Sequence, residues 1–260
     1  MKMEFYSRDK IYVRVITTLA FIALVIVGIY YFYFANGNSL LEHLNHKYFM
    51  SPHYAIFIVY IVYMFMMFIY TIVQIEPAKY GIKKRVNDRY MLFPAITFLF
   101  LALNTHFIMN SMFKTATLAA FMSLANAIIV YVRADSIKTY MYDDELRTFV
   151  KPFAVAVSWN IILVFMSANM TFQSAGAYAS TAFKVTMCFL QLLIIILVST
   201  VGLKIFSDKI FSYVLILYMI AVTVSTFLDG YFMPIGYAYF LAVIVVCVIF
   251  YKNEKAKKNK

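Results

Sequence analysis

The chain has 260 residues, of which 64% are hydrophobic and only 13% charged, with a formal net charge of +11. Mean hydropathy is +0.80, well above that of a water-soluble domain. Soluble enzyme folds are excluded. So is nucleic-acid binding, because the basic excess sits in short clusters between apolar runs, as in the inner loops of multispan proteins.

Apolar runs occupy 11–34, 53–75, 90–111, 115–132, 151–172, 178–201, 210–228 and 231–251. About 20 residues in a helix cross the hydrocarbon core of a bilayer, and a helix satisfies its own backbone amides there. No run alternates with period two, which excludes barrel strands. The expected fold is all-α, a polytopic transmembrane helix bundle of about eight spans.

In chain order, the first run is flanked by Lys2, Arg8, Lys10 and Arg14 and is too long for a signal-peptide core, so it reads as a retained helix. In the following connection, His43 and His46 would lie one turn apart if helical, but no metal-ligand spacing is diagnostic and no metal site is assigned. Tyr60, Tyr63, Phe65, Phe68 and Tyr70 run down the second span, as packing and interfacial aromatics or as a ligand wall. Lys79, Lys83, Lys84, Arg85 and Arg89 fill the second connection. Asn104, Thr105 and His106 lie in the outer half of the third span, and Asn126 lies near mid-depth in the fourth.

The loop 133–151 mixes Arg133, Lys138, Arg147 and Lys151 with Asp135, Asp143, Asp144 and Glu145, and is expected to form a short surface helix. Asn160 beside Trp159 in span five and Gln191 in span six fall near mid-depth. Amides in hydrocarbon need partners, so these side chains either join helices or line a polar cavity between them. Lys184 sits two turns inside span six and is expected to snorkel to the headgroups. Cys188 and Cys247 differ in depth, so no disulfide is expected. Asp229 caps the outer end of span seven, and 252–260 form a basic tail suited to anionic lipid. Basic residues concentrate in alternate connections, which places both termini in the cytoplasm.

Several short signals recur in order. Phe34-Ala35-Asn36 ends span one, Pro52 opens span two, and Gln74-Ile75-Glu76-Pro77 closes it. Leu101-Ala102-Leu103-Asn104 lies in span three, and Lys151-Pro152-Phe153 precedes Trp159 in span five. This order resembles the tryptophan-rich sensory protein (TspO, translocator protein) family across 11–172. Tyr60 and Phe107 stand where relatives carry tryptophan, and Asn169 lies two residues beyond the usual offset from Trp159.

The resemblance implies a five-helix unit over 1–172 that binds a hydrophobic molecule of tetrapyrrole, sterol or lipid type. A three-helix extension at 173–251 would follow it. Pro52, Tyr60, Asn104, Phe107 and Trp159 are implied at the ligand site, and the polar reading adds Asn126 and Asn160. No catalytic constellation is visible, so the expectation is a non-enzyme without cofactor that binds or transports its ligand. The alternative is a structural or interaction subunit of a membrane complex. Membrane lipids are the expected surroundings, a homodimer or larger complex is compatible, and in a bacterium the location would be the cytoplasmic membrane.

Overall fold

The computed structural model describes residues 11–33, 49–75, 86, 88–229 and 233–258. Among them it is all-helical, with α1 (Ile11–Tyr33), α2 (Phe57–Ile75), α3 (Phe93–Met109), α4 (Phe113–Asp135) and the short α5 (Asp143–Phe149). The long α6 (Lys151–Ser174) follows, then α7 (Thr181–Lys204), α8 (Ile210–Asp229) and α9 (Met233–Lys258). Seven helical stretches are long and apolar enough to cross a membrane, and α3 is a shorter apolar helix. The chain is a polytopic integral membrane protein.

Helix ends depart from the apolar runs for local reasons. The third span begins at Phe93, not at 90, because Met91 takes a left-handed φ of 50° and Pro94 sits in the first turn, where its missing N–H costs nothing. Pro52 is followed by the tight turn Tyr54–Ile56, so α2 starts four residues late. Before α7, Gly176 turns the chain at φ 72° and the Ser180 hydroxyl accepts the Phe183 N–H at 3.4 Å. The run expected to stop at 251 continues as helix through Lys258, since Lys, Glu and Ala are good helix formers. The expected surface helix of the 133–151 loop is α5. Its acidic first turn suits the helix N-terminus, and Glu145 reaches back to accept the Tyr142 N–H at 2.9 Å.

At the centre lies α6, in which every residue of 152–167 is buried. A helix apolar all round has no face to give to lipid and belongs inside a bundle. On one side α2 and α4 pack against it, with α1 on α2 and α3, and α3 on α4. On the other side α8 packs against it, and α7, α8 and α9 pack on one another. Close approach of α4 follows from its small buried residues Ala116, Ala120, Ser123, Ala127 and Ala134. The two sides are tied by the His53 N–H, which donates to the Ala221 carbonyl at 2.9 Å. Ile58, Ile61 and Phe65 of α2, Phe189 and Leu197 of α7 and Leu241 of α9 point outward, forming the apolar surface that acyl chains cover.

Candidate functional site

Neutral polar residues converge where α6, α7 and α9 meet. The Asn169 Oδ1 on α6 accepts from the Gln191 Nε2 on α7 at 2.8 Å and from the Tyr178 hydroxyl at 2.7 Å. The Gln191 Oε1 accepts from the Tyr239 hydroxyl of α9 at 2.9 Å, and the same hydroxyl lies 3.7 Å from the Met50 Sδ. Asn169, Gln191, Tyr178, Tyr239 and Met50 are all buried, so each bond forms away from water. One group is left over: the Asn169 Nδ2 has no partner among the described residues. Burial also raises the Tyr178 hydroxyl pKa, so it stays a neutral donor.

Both ends of this chain of bonds, Met50 and Tyr178, line a cavity of about 300 Å³ at one end of the bundle. Its walls come from the segment before α2, the ends of α6 and α8 and the starts of α7 and α9. The lining mixes rings and aliphatic groups (Phe49, Tyr178, Ile235) with Gln173, Thr226, Lys184 and Asp229. Lys184 lines this cavity with its Nζ 5.6 Å from the centre of the Phe49 ring. Met50 holds a positive φ of 57°, a strained backbone for a side chain with a Cβ. The Gln173 Oε1 steadies this segment by accepting the Phe49 N–H at 2.7 Å.

The seven residues singled out from the sequence line neither this cavity nor a second, apolar one of about 180 Å³ between α4, α6 and α7. Two of them meet: the Tyr60 and Trp159 rings lie 5.3 Å apart, with Phe57 6.0 Å from Trp159. Trp159 is buried and its Nε1–H is unpartnered among the described residues. Asn104 donates to the Ala116 carbonyl at 2.8 Å and to the Ser167 Oγ at 3.1 Å, which joins α3, α4 and α6. Asn126 and Asn160 donate to carbonyls of their own helices, Met122 and Ala156, both at 2.8 Å. The Asn160 Oδ1 has no partner among the described residues. Phe107 is half-buried beside His106, and Pro52 is buried at the turn before α2. Among the described residues, no ring contact or hydrogen bond connects Asn104, Phe107 or Asn126 to the Tyr60–Trp159 pair.

No family model, curated protein or solved structure matches this chain. The resemblance drawn from the short motifs therefore stands on those residues alone. Phe34-Ala35-Asn36, Glu76-Pro77, His43 and His46 lie outside the described residues. Among the described ones, no three His, Cys, Asp or Glu side chains are grouped to hold a metal.

At the opposite end of the bundle, the buried Asp208 gathers α4, α6 and α8. It accepts from the Tyr131 hydroxyl at 3.1 Å, the Lys151 Nζ at 3.3 Å and the Ile210 N–H at 3.0 Å. Lys138 crosses to the Phe206 carbonyl at 3.0 Å, and Lys209 pairs with Glu254 at 2.8 Å. The hydrogen bond to Glu254 raises the pKa of the Lys209 ammonium. Both oxygens of the Asp208 carboxylate are used in joining elements, which marks it as a clamp.

Sequence reasoning named Gln191, Asn169, Lys184 and Asp229 but gave them separate roles. The residues that unite them, Met50, Tyr178 and Tyr239, carried no signal, because one Tyr among 22 is indistinguishable without the fold.

Proposed function

We propose that this protein binds a lipid-like small molecule in the cavity above the Asn169–Gln191–Tyr239 bonds. The observation that carries the reading is the mixed lining: apolar rings beside Lys184, Asp229, Gln173 and Thr226 in one concave site. Its volume, about 300 Å³, lies at the lower end for small-molecule sites. Of the ligand types that the TspO-like resemblance implies, a flat tetrapyrrole or a sterol has little use for two opposite charges, whereas a lipid headgroup does. Binding is what the geometry supports; transport rests on the resemblance alone, as does assignment of 1–172 to a TspO-like unit.

The test is thermal melting of the purified full-length protein with a panel of porphyrins, sterols and single-chain lipids. A lipid should raise the melting temperature of the native protein, and Ala179→Trp, which crowds the cavity rim, should abolish the shift. If nothing in the panel stabilises the protein, the reading fails. The lone Trp159 separates this site from the aromatic seam: a ligand seated against Tyr60 and Trp159 would quench its fluorescence, and one in the end cavity would leave it largely unchanged.

A second reading, a structural or interaction subunit, is favoured by Asn104, whose amide donors are used up within the bundle. It predicts a stoichiometric complex on gentle purification and no stabilisation by small molecules. A monomer that is stabilised by lipid would dispose of it.

A further inference from the structure

Lys184 brings an ammonium to the cavity that the protein itself does not satisfy. Among the described residues it makes no side-chain hydrogen bond and no ion pair, and its contact is the Phe49 ring at 5.6 Å. A ring face attracts the cation but does not accept its N–H groups as an oxygen does. The hydroxyls of the lining, by contrast, are spent. Tyr178 donates to the Asn169 Oδ1 at 2.7 Å, Ser225 to the Asp229 Oδ2 at 3.3 Å, Thr226 to the Val222 carbonyl at 2.8 Å and Ser51 to the Pro52 carbonyl at 3.5 Å. Asp229 is engaged within the protein, by Ser225 and by a further contact. Helix dipoles add little here. Two helix starts (α7, α9) and two helix ends (α6, α8) meet at the cavity, so their partial charges largely offset one another.

We infer that Lys184 holds the anionic group of a single-chain lipid that carries one negative charge, a carboxylate or a phosphodiester. This rests on the proposed reading of the cavity as a lipid site and names the ligand class. The anion supplies the oxygens that the ammonium lacks, and a charge-assisted bond is stronger than one to a neutral head. The charge is single because Asp229 lines the same cavity. A second negative charge on the ligand would face that carboxylate with no second cation in the lining to offset it. The apolar walls favour an amphiphile over a free ion. The Phe49 and Tyr178 rings lie 4.4 Å apart on the Lys184 side, and with Ile235 they give the first methylenes a surface to cover. The place in the fold fits. Where the ends of four long apolar helices converge is the depth of lipid headgroups, and a chain attached to the anion can pass between helices into the acyl region.

The experiment compares four probes on the full-length protein in a neutral detergent: laurate, lauroyl lysophosphatidylglycerol, monolauroylglycerol and acetate. Dissociation constants come from thermal-shift titration. At least one of the two anionic lipids should bind about tenfold tighter than monolauroylglycerol, a difference within reach of one charge contact, and the tighter of the two names the source of the anion. Lys184→Met keeps the apolar stem over Phe49 and should weaken that lipid to the level of monolauroylglycerol, whereas Lys184→Arg should retain the preference. Lys252→Met removes an exposed lysine far along α9 and should change nothing. If it weakens the anionic lipid as much as Lys184→Met does, the preference belongs to the overall basic charge and the assignment to Lys184 falls. Equal affinity of the native protein for the anionic and neutral lipids overturns the anion assignment and leaves lipid binding standing; this comparison needs no variant to fold. Failure of all three lipids overturns the underlying reading as well. Acetate binding as tight as laurate overturns the requirement for a chain, and with it the lipid as the ligand.

Discussion

At the scale of single residues, the same chemical group serves different ends according to what surrounds it. Asn104 spends both amide hydrogens on Ala116 and Ser167, whereas Asn169 accepts twice and keeps its Nδ2 unpartnered beneath the cavity. Asn104→Ala should therefore lower thermal stability by about 1 kcal/mol, in keeping with interhelical polar bonds in membranes, and leave lipid affinity unchanged. A loss of affinity without a loss of stability would return Asn104 to the binding site. Gly202 offers a sharper case. A Cβ there would lie 2.9 Å from the Phe211 Cβ, an atom that no rotamer can move, so α7 and α8 would have to part. Gly202→Ala should cost about 1–3 kcal/mol of stability, read as a lowered melting temperature; an unchanged melting point would mean that the helices do not approach this closely.

At the scale of elements, the spans were legible in the sequence because apolar length is a direct requirement of the bilayer. Their ends were less so. Met91 adopts a positive φ and Lys252–Lys255 stay helical for reasons that lie in turn geometry and helix propensity, not in hydropathy. The cavity was illegible for another reason: its walls come from five separate segments, and only packing brings Lys184 to the side of Phe49. The clamp at the far end shows how little sequence it takes to fix such packing. Asp208 caps α8 through the Ile210 N–H and also holds Lys151 and Tyr131, so two variants separate its roles. Asp208→Asn keeps an oxygen for the cap, while Asp208→Ala removes it. The alanine variant should be less stable than the asparagine one by about 1 kcal/mol, the usual worth of an N-cap. Equal melting temperatures would show that charge, and not capping, carries the contribution.

At the scale of the whole molecule, burial, charge and orientation bear on one another. Because α6 is enclosed along 152–167, the helices on its two sides share one core, and the cavity and the Asp208 clamp sit at opposite ends of it. From the asymmetry of basic residues we propose that the clamp end faces the cytoplasm and the cavity end the outer face. That assignment decides which leaflet supplies the headgroup. It can be read with two single-cysteine variants in a background lacking Cys188 and Cys247: Ala175→Cys at the cavity end and Asp143→Cys at the clamp end, both at exposed positions. A membrane-impermeant maleimide should label Ala175→Cys in intact cells and Asp143→Cys only after permeabilisation. The reverse pattern would turn the molecule over, placing the cavity in the inner leaflet and making cytoplasmic-face lipids its source. Labelling of both positions in intact cells would break the link between alternate connections and alternate sides, and with it the expectation of eight crossings on which the proposed orientation rests.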